Sequence, residues 1–257
     1  MNQATKLRYG FSIGALLLIL ILAAYFDAQP KQDQSLCTGK PDGNVVILID
    51  HSESITQTTH QAIQDRVISF VSDDTKIKAN NRISVFLMTD DFDNVKPVFE
   101  FCKPITGGNP LVSNPLVQQS FYNLFERKLK QKVSSQIIGS SSSPIIEMLS
   151  TIGRTKYFET DRKQLYVFSD LLEYSKYSVD LYKRCSTSYN TSANGFDAFR
   201  EFLAKAKTYS PLQLPKDVKV ELHQIPRPEL KNIQQSCIVS FWQDAFGIST
   251  PSFYPLP

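Results

Sequence analysis

The feature that most constrains this chain is an unbroken aliphatic run, Val45, Val46, Ile47, Leu48 and Ile49, closed by Asp50. A strand with one wet face alternates apolar and polar side chains. A β-branched run without alternation predicts a strand covered on both faces, as in a parallel sheet. Two runs of the same kind follow, at residues 83–88 (ISVFLM) before Thr89-Asp90 and 165–168 (LYVF) before Ser169-Asp170. Residues 95–102 read as a further strand, joined to 83–88 by a tight acidic turn and therefore antiparallel to it. Residues 218–225 alternate and read as another strand.

Between these runs the apolar spacing is helical. Residues 55–71 carry Ile63, Val67, Phe70 and Val71, and residues 117–132 carry Phe121 and Leu124. Pro144 opens a helix through Ile145, Met148 and Leu149. Residues 196–209 align Phe196, Phe199, Leu203 and Ala206, and 229–246 align Leu230, Ile233, Cys237 and Phe241. Residues 103–115 and the serine-rich 134–143 read as loops, and 174–194 as polar and irregular. Strand and helix alternate, which predicts a three-layer, Rossmann-like α/β domain over residues 44–257. Its central sheet is expected to be mostly parallel with one antiparallel edge strand.

Residues 9–26 contain no charged side chain. As a helix this run reaches about 27 Å, enough to span a bilayer's hydrocarbon core. Lys6 and Arg8 precede it and Asp27 follows, so the positive-inside rule keeps the N-terminus cytoplasmic. The expected layout is a cytoplasmic stub (1–8), a transmembrane signal-anchor (9–26), a linker (27–43) and a periplasmic or extracellular domain. A cleaved signal peptide is the competing reading, with residues 22–24 (LAA) a mediocre cleavage site. The net charge is +3, and Lys6 and Arg8 supply two of those charges. The nearly neutral remainder argues against a nucleic-acid binder, which needs a basic excess. The hydrophobic fraction of 42% excludes wholesale disorder. Outside the cytoplasm, Cys37, Cys102, Cys185 and Cys237 can form up to two disulfides, with all three pairings open. Asn190-Thr191-Ser192 fits a glycosylation sequon.

Three predicted strands end in carboxylates: Asp50, Asp90 and Asp170. In parallel sheets ligands bind beyond the carboxyl ends of the strands. Asp50-His51-Ser52-Glu53-Ser54 is a D-x-S-x-S pattern at one such end. A carboxylate with two hydroxyls is a hard-oxygen set suited to Mg²⁺, Mn²⁺ or Ca²⁺. Each piece also has a plainer use, since Ser52 or Ser54 can cap a helix and Asp50 and Asp170 suit strand-end turns.

At this point the chain resembles the von Willebrand factor A (vWA) domain family and its metal-ion-dependent adhesion site. That family's first strand ends in D-x-S-x-S, as VVILIDHSES does here. Its second motif is a Thr or Ser before a helix, the place of Ser143 at the end of the serine run 140–143. Its third is an Asp ending the fourth strand, matched by Asp170 in LYVFSD. Family members usually carry Gly next, where this chain has Leu171. The chain also resembles a bacterial group with a Cys-Pro-Gly-Asn loop, a later Ser-Pro-Ile and Ser-Asp, and a C-terminal Trp, matched here by 102–109 and Trp242.

The resemblance implies a Mg²⁺ (or Mn²⁺ or Ca²⁺) site at Asp50, Ser52, Ser54, Ser143 and Asp170. A cation held by few carboxylates accepts an acidic side chain from a protein partner. The expectation is a membrane-anchored, metal-dependent protein-binding module of the cell envelope. The alternatives are a metal-free interaction module and a metal-dependent hydrolase. No catalytic residue and no small-molecule substrate are expected. There is no P-loop and no G-x-G-x-x-G, and the G-x-S-x-G at residues 10–14 lies inside the membrane run. Asp90, Asp91 and Asp93 read as a solvated turn, the basic stretch 127–132 as a solvated helix face, and His51, His60 and His223 as structural or solvent-facing.

Overall fold

The computed structural model describes residues 18–19, 35–50, 57–107, 114–134, 142–175, 180–186, 195–205, 212, 214–215, 217–225, 233–247 and 251–255. The expected anchor, apart from residues 18–19, lies outside the described residues. So do Ser52, Ser54, His51 and the sequon. Among the described residues no helix is long and apolar enough to cross a membrane.

The unbroken aliphatic run forms β1 (Gly43–Ile49), buried along its whole length. It pairs in parallel with β2 (Asn81–Leu87) on one side and with β4 (Lys163–Ser169) on the other. Gly43 sits tightly at its start: a Cβ there would lie 2.7 Å from Asn81 Oδ1 and 3.0 Å from Arg162 Cβ, so a larger residue would force its neighbours to shift. β3 (Phe99–Cys102) is the antiparallel edge beside β2. β5 (Lys219–Gln224) and β6 (Ser252–Pro255) extend the other side in parallel, so the strand order is β3-β2-β1-β4-β5-β6. The expected α/β architecture, mostly parallel with one antiparallel edge, is the one observed.

Alternate residues of β1 feed two separate cores. Val45, Ile47 and Ile49 pack with α1 (Gln57–Ser72) and α2 (Pro115–Val133) on one face. Val46 and Leu48 pack on the other with α3 (Ile145–Gly153), α5 (Gly195–Lys205) and α6 (Gln235–Phe246). α1 buries Ile63, Val67, Phe70 and Val71, as its spacing predicted. The N-terminus of α2 is set by Asn114, whose side chain accepts from Leu116 N–H at 3.0 Å, with Pro115 in the first turn.

Several expectations need correction. The link from β2 to β3 is residues 88–98, longer than a tight turn, because Phe92 dips into the core and pulls the chain away from the ladder. In α2 the buried stripe is Phe125, Leu129 and Val133, with Phe121 and Leu124 at its margin. In α5, Ala198 and Phe202 are buried while Leu203 is exposed, because the helix turns Phe202 to the core and Phe199 against Phe241. The segment read as irregular contains α4 (Leu181–Cys185), capped by Asp180. α6 starts at Gln235 rather than 229, since Ile233 pairs with Ser186 in an isolated bridge and Gln234 N–H donates to Cys185 O at 2.8 Å. β6 was not read from the sequence.

The cysteines pair as Cys37–Cys102 and Cys185–Cys237. The first bridge fastens the segment entering β1 to the end of β3, and the second ties α4 to α6.

Candidate metal centre

β2, β1 and β4 are neighbours and parallel, so their carboxyl ends lie along one edge of the sheet. The chain crosses from one side of the sheet to the other between β1 and β4, and such a switch point is where ligands bind in open α/β sheets. Asp50 and Asp170 stand on these two strands, one residue past each end. Asp50 N–H donates to Phe168 O at 2.8 Å and Met88 N–H to Ile49 O at 2.9 Å, so the ladders run up to the site without a gap.

Asp50 is buried, at 1% exposure. Its Oδ2 accepts from Ser143 Oγ at 3.0 Å and from Ser169 Oγ at 2.6 Å. Ser143 comes from the segment before α3. It is held by a two-way backbone bridge to Tyr174, at 2.6 and 2.9 Å, and its hydroxyl also touches Met88 Sδ at 3.4 Å. Asp170 is buried as well, and its Oδ1 accepts from Leu172 N–H at 3.0 Å. Leu171 has φ +65°. Its N–H donates to Ser169 Oγ at 2.8 Å, and its carbonyl accepts from Trp242 Nε1 at 2.9 Å. The structure thus joins Asp50 to Ser143 directly and places Asp170 at the end of the strand next to β1.

Two residues that sequence reasoning passed over belong to this edge. Ser169 both orients Asp50 and receives the Leu171 N–H. Its only sequence signal is its place before the strand-end Asp. Glu173 is buried and its Oε2 accepts from Ile146 N–H at 3.0 Å, a contact between segments that no local pattern announces. The acidic turn is exposed at Asp90, Asp91 and Asp93, as expected, and Ser142 Oγ donates to Asp90. Of the histidines, His60 lies against Gln64 on α1, while His223 is enclosed in the core. Trp242, Phe241 and Phe246 are core residues.

The donor chemistry fits a hard cation. Asp50, Ser143 and Asp170 offer carboxylate and hydroxyl oxygens only, the set preferred by Mg²⁺ and Mn²⁺. Ser143 donates its proton to Asp50, and a donating hydroxyl keeps its lone pairs. Among the described residues no group of three or more His, Cys, Asp and Glu could hold a metal.

No family model matches the sequence, and a search of curated proteins finds no match. Among solved structures, the chain is similar to proximal thread matrix protein 1 from the mussel byssus at 10% identity and a TM-score of 0.39, over 84% of this chain. It spans 42% of that protein's chain. It is similar to an aerotolerance-related membrane protein from Bacteroides fragilis at 11% identity and a TM-score of 0.35, over 83% of this chain and 90% of the other. It is also similar to BatB from Bacteroides thetaiotaomicron, at 13% identity, a TM-score of 0.33 and coverages of 82% and 88%.

Proposed function

We propose that this chain is a vWA-like interaction domain. In this reading it binds an acidic group of a protein partner through one divalent cation held by Asp50, Ser52, Ser54, Ser143 and Asp170. The observation that supports the reading is the 3.0 Å hydrogen bond joining Ser143 to the buried carboxylate of Asp50 across 93 residues of chain, at the sheet's switch point. Two motifs recognised separately in the sequence meet there. When bound, the cation supplies positive charge and an open position for a partner's carboxylate.

The chain's own residues do the rest. Asp50 supplies negative charge, Ser143 and Ser169 fix the direction of its carboxylate, and Leu172 N–H fixes that of Asp170. No catalytic step is proposed. The charge-free run 9–26 and the two disulfides support an anchored domain on the oxidising side of the membrane.

One observation favours a metal-free interaction module as the second reading. Asp50 Oδ2 already receives two hydroxyl donors, so the network is satisfied without a cation. Thermal unfolding of the full chain in detergent, with and without Mg²⁺ or Mn²⁺, decides between them. On the first reading, cation at about 100 times its Kd adds about 2.7 kcal/mol to stability, and Asp50→Ala abolishes the gain. No gain in the unsubstituted chain leaves the metal-free reading.

A further inference from the structure

We infer that Glu173 is a positioning residue of this site: it holds Ser143 beside Asp50 without itself binding the cation. The inference rests on the metal-dependent reading above. The first turn of any α-helix leaves N–H groups without partners inside the helix. α3 begins after Pro144, which supplies no side-chain cap. The missing acceptor comes from elsewhere in the chain. Glu173 is fully buried, and its Oε2 takes the Ile146 N–H at 3.0 Å. A carboxylate at a helix N-terminus is further favoured by the helix dipole.

The residues on either side of Ser143 are fastened by the same short stretch. Tyr174 exchanges two backbone hydrogen bonds with Ser143, and Ser175 Oγ donates to Glu147 Oε1 in the first turn of α3. Three consecutive residues, 173 to 175, therefore grip the segment 143–147. Glu173 is in turn fixed from behind, since its carbonyl accepts from Leu181 N–H at 3.0 Å. Without the Glu173 carboxylate, Ile146 N–H is left without that acceptor in a buried setting. The start of α3 frays, and Ser143 loses its fixed place 3.0 Å from Asp50.

The test is a Mn²⁺ titration of the full chain in detergent micelles, reading free Mn²⁺ by its paramagnetic resonance signal, well below the melting temperature of each variant. The original chain is expected to bind Mn²⁺ and Asp50→Ala is not. Glu173→Ala is expected to weaken binding at least tenfold. Glu173→Gln, whose amide oxygen can accept the same N–H, stays within threefold of the original. Glu173→Asp, one methylene too short, behaves like the alanine variant and replaces it should that variant not fold. A purely structural role would lower the melting temperature of metal-free protein and leave affinity unchanged. Glu173→Ala or Glu173→Asp binding Mn²⁺ as the original chain does would overturn the inference and leave the site reading intact. An original chain that binds no Mn²⁺ overturns both.

Discussion

Leu171 holds a left-handed backbone, φ +65°, directly after Asp170. An L-residue there costs roughly 1–2 kcal/mol, and this is the position where the vWA resemblance leads one to expect glycine. The cost is offset locally. The Leu171 side chain is fully buried, which contributes about 1.5–3 kcal/mol, and both its backbone groups are hydrogen bonded, to Ser169 and Trp242. Burial wins, so leucine stands where backbone preference alone would select glycine. His223 makes the opposite bargain. It is buried, stacked between Phe168 and Tyr254, and among the described residues neither ring nitrogen has a hydrogen-bond partner. Burial pushes its pKa from 6.5 down to about 4, helped by Arg66 and Lys76. Glu221 Oε2, at 3.6 Å from Nε2, pulls the other way but lies too far for a hydrogen bond. Between pH 6.5 and 4 the unfolded chain therefore takes up a proton that the native protein refuses. Stability falls as pH falls through that window, by up to about 3 kcal/mol. His223→Phe keeps the ring stack and is expected to lose about 2 kcal/mol less than the original chain between pH 7 and 4.5, measured by urea unfolding. Parallel stability curves would refute this.

Elements differ in how far local sequence explains them. β1, β2 and β4 were legible because a strand buried on both faces needs an unbroken apolar run, and nothing in the tertiary structure can substitute for it. α4 and β6 were not legible. α4 has five residues, too few to carry a helical period, and exists because Asp180 caps it and Cys185 is bridged to Cys237 on α6. β6 has four residues, Ser252–Pro255, directly after Pro251, and is strand only because β5 offers it partners, Leu222 opposite Phe253 among them. The start of α6 moved for the same reason, as Ile233 pairs with Ser186 rather than continuing a helical stripe. The Cys185–Cys237 bridge closes a 52-residue separation. Chain-entropy reasoning makes its removal cost about 2–4 kcal/mol. The double variant Cys185→Ala, Cys237→Ala is expected to show that loss in denaturant unfolding, with proteolytic cleavage appearing first around α4. Unchanged stability and cleavage pattern would mean that α4 is held without the bridge.

At the scale of the molecule, the sheet has two poles with different tasks. The chain enters at the amino ends of β1 and β2, where Ser35 O accepts from Cys102 N–H at 2.8 Å and the Cys37–Cys102 bridge fixes the segment. Asp50 and Asp170 stand at the opposite pole. Residues 27–34 can reach at most about 28 Å even when fully extended. On the proposed reading, an anchor at 9–26 would keep the entry pole near the bilayer and turn the strand-end carboxylates away from it. With the full chain in vesicles carrying an acceptor dye on their lipid headgroups, a donor dye at Lys40→Cys is expected to transfer energy more efficiently than one at Asp91→Cys. Equal or reversed transfer would reject that orientation.

The sequence by itself determined the class of fold, the central strands, the antiparallel edge and the strand-end aspartates, because those follow from local periodicity and from the burial a parallel sheet demands. Only the tertiary structure decided which cysteines pair, that Ser143 of the serine run meets Asp50, and that Ser169 and Glu173 support the same edge. Each of these depends on contacts between residues far apart in the chain, and no local pattern records which distant segments the fold brings within hydrogen-bond distance.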